Sequence, residues 1–165
     1  MKKYLWKNKR GYSAVNVIMC VLVILLTFSL LIEITFLGKR YSYMAQTTTY
    51  VSRIIGEQGG IQTSTPSGYM DPSLYTKSSR LYSTLNSGFS KAGFDTWAVY
   101  IDDVKLKSST RLSFPEKTLI PIRIRAGFYP IFKFNSRSNR LVYIETERNV
   151  YSSFTPRTSD IDLIK

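Results

Sequence analysis

A chain of 165 residues has room for one modest domain once any membrane segment is set aside. It carries 23 Lys and Arg against 11 Asp and Glu, with no His and one Cys, which excludes His-based triads, His metal ligands and an intrachain disulfide. Five of the bases (Lys2, Lys3, Lys7, Lys9 and Arg10) fall in the first ten residues with no acid among them, so part of the charge is a topology signal. The other 18 bases are scattered rather than massed in one run; their excess suits solubility or a nearby anionic lipid or cell-wall surface, and a nucleic-acid partner is not expected.

From Tyr12 to Ile32 there is no charged residue. A helix of this length reaches roughly 32 Å, close to the ~30 Å hydrocarbon core of a bilayer, and it satisfies its own backbone hydrogen bonds. A cleaved export signal has a shorter apolar core, about 7–15 residues, ending in a small-residue site. Here the apolar run continues into Glu33-Ile34-Thr35-Phe36-Leu37. The expectation is a retained transmembrane helix over 12–37 behind a basic leader, 1–11. The leading flank outnumbers Lys39 and Arg40 on the trailing side, so the N-terminus is expected in the cytoplasm and the rest outside. Cys20 lies in the apolar run, where it reads as a small hydrophobe. Glu33, at the outer end, either snorkels to the interface or pairs with a base on a neighbouring helix.

The junction Lys9-Arg10-Gly11-Tyr12-Ser13-Ala14-Val15-Asn16 combines a basic leader, a Gly and a long apolar helix. It resembles a class III prepilin signal and, more narrowly, TadE-like pilus proteins of the Gram-positive type, with Gly11 matching the Gly before the cut and Ile32-Glu33 matching a later Ile-Glu pair. The resemblance covers residues 7 to about 45. It implies processing between Gly11 and Tyr12 by a prepilin peptidase. It also implies helix packing through Asn16 and Glu33, and a role as a minor pilin or pseudopilin among other pilin-like or secretion-apparatus subunits. The chain departs from the family at the fifth position after Gly11, where Asn16 stands in place of Glu. Asn can hydrogen-bond but carries no charge to pair with a neighbour's terminal amine. The alternative is an uncleaved bitopic accessory subunit of a conjugation or secretion complex that binds protein partners through its head.

Beyond the apolar run, Met44, Thr48, Val51 and Ile55 recur at helical spacing, so the helix is expected to continue as a stalk over 38–58. Gly59-Gly60 ends it, and residues 59–73, rich in Ser, Thr, Gly and Pro, read as a loop. Asp71-Pro72 has the form of a helix start, with Asp as N-cap and Pro at the first position. Leu74, Leu81, Tyr82, Leu85 and Phe89 would share a face, and Gly88 or Gly93 would stop the helix. Strands follow in an extracytoplasmic head over 74–165. Trp97, Val99 and Ile101 alternate with smaller or polar neighbours, and Ile120, Ile122, Ile124 and Ala126 alternate with Pro121, Arg123 and Arg125. Pro121 favours an edge strand or a strand's beginning. Tyr129–Phe134 and Leu141–Thr146 read as further strands joined by a turn at 135–139, and the tail after Ser152 as loosely held. The fold class expected is α+β: one long N-terminal transmembrane and stalk helix, then a small helix and an antiparallel sheet.

No chemistry stands out. There is no Ser-x-x-Lys pair, Gly-x-Gly-x-x-Gly or phosphate loop. Asp102-Asp103 reads as a strand end or turn, Asp160-x-Asp162 lacks the further ligands of a calcium loop, and Glu145 and Glu147 read as surface charge. No catalytic residue, metal or cofactor is expected. Tyr4, Trp6, Tyr41 and Tyr43 flank the apolar run as interfacial aromatics would, while the head's aromatics read as core.

Overall fold

The computed structural model describes residues 4–67, 69, 71–130 and 141–153, with the backbone alone over 4–13. One helix, α1 (Tyr4–Gln58), takes up a third of the chain. It is followed by β1 (Gly60–Ile61), α2 (Ser78–Lys91), β2 (Thr96–Ile101), β3 (Val104–Lys105), β4 (Leu112–Ser113), β5 (Leu119–Phe128) and β6 (Val142–Tyr151). The fold is α+β, as expected: a long apolar helix, a short helix and antiparallel sheets.

The helix changes character along its length. Between Ala14 and Leu37 every side chain is exposed except the half-buried Ser29 and Glu33; Leu26, for example, is 60% exposed. From Arg40 onward one face turns inward. Met44, Thr48, Val51 and Ile55, the stripe expected of a stalk, are all buried. Thr48 shares a 2.6 Å hydrogen bond with Thr146 of β6, and Arg148 donates to the Thr49 hydroxyl at 2.8 Å. Gly59, in the left-handed region at φ 64°, ends the helix.

The main sheet has the order β3-β2-β5-β6, antiparallel throughout, with Val99 opposite Ile124 and Ile124 opposite Thr146. The even-numbered residues of β5 from Ile120 to Phe128 are buried against the helices, with Val99 and Ile101 beside them. The period of two had foretold this face. Met44, Val51 and Ile55 of α1 and Leu81, Leu85 and Phe89 of α2 complete one core. A two-stranded pairing, β1 with β4, closes the far end.

Several expectations are corrected. The second helix starts at Ser78, not at Asp71-Pro72. The Asp71 carboxylate instead accepts from the Ser73 N–H and hydroxyl, at 2.9 and 2.6 Å, and makes an isolated turn that does not propagate. Leu74 is therefore 72% exposed rather than on the helix face. The extended segment that follows is tied down by Ser78, whose N–H donates to Gln62 O and whose hydroxyl donates to Ser108 O. Gly88 lies inside α2, and Gly93, at φ 76°, is the glycine that stops it. The span 59–73, read as a loop, contains β1, whose Ile61 is fully buried.

Pro121 lies in a central strand, two residues from its beginning. Its carbonyl accepts from Asp102 N at 2.9 Å, just where β2 turns away, so the N–H that proline lacks removes no rung from the ladder within β2. No separate strand starts at Tyr129: β5 runs through Phe128, and Tyr129 and Pro130 follow it outside any strand. β6 is longer than expected, reaching Tyr151. The turn expected at 135–139, residues 131–134 and Asp160-x-Asp162 lie outside the described residues.

Candidate functional site

The sequence placed its candidate residues along α1, and the structure distributes them along one rod. Gly11 and Tyr12 fall within the helical backbone, which runs unbroken from Tyr4 across the leader junction. Asn16 is exposed and Glu33 half-buried. Seventeen residues of helix separate these two, roughly 26 Å, so they do not meet within one chain. What joins them is the exposed apolar surface of the rod, from Val15 to Leu37, which includes Phe28 and Phe36. An apolar surface of this extent is characteristic of a segment covered by lipid or by other helices. By length and composition α1 is able to cross a membrane.

The head joins this rod at Arg40, which the sequence offered only as a flanking charge. Its side chain lies 4.0 Å above the ring of Phe128 and only 9% of the residue is exposed. It also approaches Gly93, at the C-terminal end of α2, where the carbonyl end of the helix favours a cation. Its Nε has no hydrogen-bond partner. The signal was present in the sequence: Arg40 lies four residues before Met44, so it extends the buried stripe by one turn toward the apolar run.

Asp102 and Asp103, at φ 49° and 60°, form the two-residue turn between β2 and β3, as their reading as a turn implied. Asp103 pairs with Arg123 at 2.9 Å, and Glu145 lies 3.8 Å from the same guanidinium, on the exposed outer face of the sheet. Arg125 stacks 4.2 Å over Tyr143 there. An open groove of 580 Å³ runs along β2, lined by Tyr82, Asp95, Trp97, Lys105 and Lys107 among others. Asp95 is the carboxylate lining it, and its Oδ2 accepts from the Tyr129 N–H. Among the described residues no three His, Cys, Asp or Glu side chains gather as a metal site would require. Cys20 is exposed on the apolar half of α1.

Buried tyrosine is the strongest electrostatic perturbation. Burial pushes the Tyr75 phenol up to about 12, and Tyr69, its ring 5.1 Å away, is raised for the same first reason. Both lie at the far end of the head from Arg40, and the Glu57 and Asp71 carboxylates add to the rise at Tyr69. No family model matches the chain, and comparison with curated proteins and with solved structures found no match.

Proposed function

We propose that this chain is a single-pass membrane subunit of the TadE-like minor pilin or pseudopilin kind, taking part in assembly of a Tad-type pilus or a related secretion apparatus. One observation carries the reading: a single helix presents apolar side chains outward over its first half and forms the core of the head with its second. A discarded export signal has no reason to be continuous with the helix around which the mature domain folds. Hydrocarbon or neighbouring helices would cover Val15 to Leu37, and the five leading bases would hold the N-terminus in the cytoplasm. The protein would act by packing rather than by catalysis, without cofactor or metal. Gly11 would mark the cut, Tyr12 would become the first residue, and Asn16 and Glu33 would meet neighbouring helices. The test is the intact mass of the protein extracted from membranes of cells with active prepilin peptidase. A mature chain starting at Tyr12, lost in Gly11→Val, supports the proposal, whereas a full-length chain under those conditions contradicts processing.

Asn16 favours a second reading, in which the chain is an uncleaved accessory subunit whose head binds channel proteins of a conjugation or secretion complex. Crosslinking from the head separates the two, since the captured partners would be channel components in one case and pilin-like chains in the other.

A further inference from the structure

We propose that the base of the head is a phosphate-binding platform that rests on an anionic bilayer surface, with Arg40 at its centre. The proposal rests on the reading that α1 spans a membrane. It begins from where the helix changes character. The unbroken run of exposed apolar side chains ends at Leu37, and the first buried side chain among the described residues of α1 is Arg40, two residues past Gly38. The headgroup layer therefore begins within one turn of Arg40.

Two elements end at this level, beside α1. α2 runs back toward the apolar half of α1: Tyr43 meets Gly88, and Arg40 meets Gly93 beyond the last turn. That brings Lys91, exposed in the last turn of α2, to the same base. β5 ends there at Phe128 under the Arg40 guanidinium, followed by the exposed Tyr129. Lys39 and Tyr41 flank Arg40 on α1, both exposed. The base thus sets three cations and two exposed phenols at the depth where bilayers carry phosphates, with Asp95 as the nearby acid on the head side and Glu33 two turns toward the apolar half. Interfacial tyrosines favour that depth, and each Lys or Arg near an anionic surface is attracted by about 1 kcal/mol.

Arg40 itself is the strongest sign. No salt bridge to it exists among the described residues, and its Nε is buried without a hydrogen-bond partner. A ring face and the partial charge of a helix end hold the guanidinium in place but do not neutralise it. A guanidinium so held keeps its remaining N–H groups available to an oxyanion, and phosphate is the oxyanion that a membrane supplies at this height.

The test uses the full chain carrying Cys20→Ser and Ser90→Cys, with a fluorophore on the new thiol in the last turn of α2. It is reconstituted into vesicles of phosphatidylcholine, or of phosphatidylcholine with phosphatidylglycerol, each doped with headgroup-spin-labelled lipid. Flotation with the vesicles is scored separately from quenching. The expected result is quenching about twofold stronger in the anionic vesicles, reduced by high salt. It should fall to the neutral-lipid level in the Lys39→Gln/Lys91→Gln variant, whose substitutions are on exposed side chains and leave the core untouched, and in Arg40→Gln where that variant folds. Equal quenching in both lipids, or a rise that survives the double substitution, overturns this proposal while leaving the span intact. A chain that does not float contradicts the span and this proposal with it.

Discussion

Tyr43 of α1 lies so close against Gly88 of α2 that a single added methyl at position 88 would overlap the phenol oxygen. The ring cannot swing away freely, because it is set edge-on to Phe89 at 5.5 Å and tilted against Phe94 at 6.4 Å. Gly88→Ala should therefore destabilise the head by about 1 kcal/mol net. Overpacking of about 1–3 kcal/mol outweighs the gain of about 1 kcal/mol in helix propensity. Removing the hydroxyl with Tyr43→Phe should shrink the penalty. Denaturant unfolding of the four-member cycle in detergent, followed by near-ultraviolet circular dichroism, measures the coupling.

The two halves of α1 should respond unequally to the same truncation. Val51 and Ile55 are fully buried, so Ile55→Ala should cost about 2–4 kcal/mol in unfolding of the head. Leu25→Ala, in the exposed half, should leave head unfolding unchanged within about 0.5 kcal/mol. Equal effects at the two sites would show that the halves share one core.

The turn at Asp102-Asp103 holds two side chains at positive φ, where glycine is the residue of least strain. Asp103→Gly should be neutral or stabilising by up to about 1 kcal/mol, since the ion pair it removes from Arg123 is exposed and worth little. Asp103→Val, β-branched at the same φ, should destabilise by about 1–3 kcal/mol. Thermal unfolding of the two variants beside the parent checks the sign of each.

Alkaline pH should loosen the far end of the head. The Tyr75 phenol is pushed up to about 12 by burial, against an ordinary value of 10, so the folded state keeps its proton where the unfolded chain loses it. Stability linked to this group is therefore complete below pH 10 and declines as pH rises toward 12. Tyr75→Phe should remove that part of the decline. Absorbance titration of the phenols near 295 nm, compared between parent and variant, identifies the late-ionising group.

Where local pattern and tertiary demand agree, the fold could be read in advance. The Met44-Thr48-Val51-Ile55 stripe and the Ile120-Ile122-Ile124-Ala126 alternation are buried because helix and strand periods place those side chains on one face whatever packs against them. The errors have physical causes. Asp71-Pro72 has the composition of a helix start, yet the carboxylate spends its hydrogen bonds on Ser73 and closes a turn. β1, β3 and β4 are two residues long, and no period emerges from two residues; β1 and β4 exist because distant segments meet, and β3 because the Asp102-Asp103 turn folds it back on β2. Arg40 was hidden by its charge, which reads as a flank marker in sequence and as a buried, ring-stacked cation in the structure. Asn16 and Glu33 were legible as polar interruptions of the apolar run, and the structure leaves the first exposed and the second half-buried on α1.

In the proposed topology α1 crosses a membrane once and holds the head outside it. The most direct test of that topology replaces Cys20 with Ser and introduces Lys105→Cys on the exposed side of β3, in cells bounded by a single membrane. A membrane-impermeant maleimide is then applied before and after lysis. The expected result is that the protein pellets with membranes and that intact cells label as fully as lysed ones. Labelling that appears only after lysis, or a chain recovered in the detergent-free soluble fraction, would contradict it.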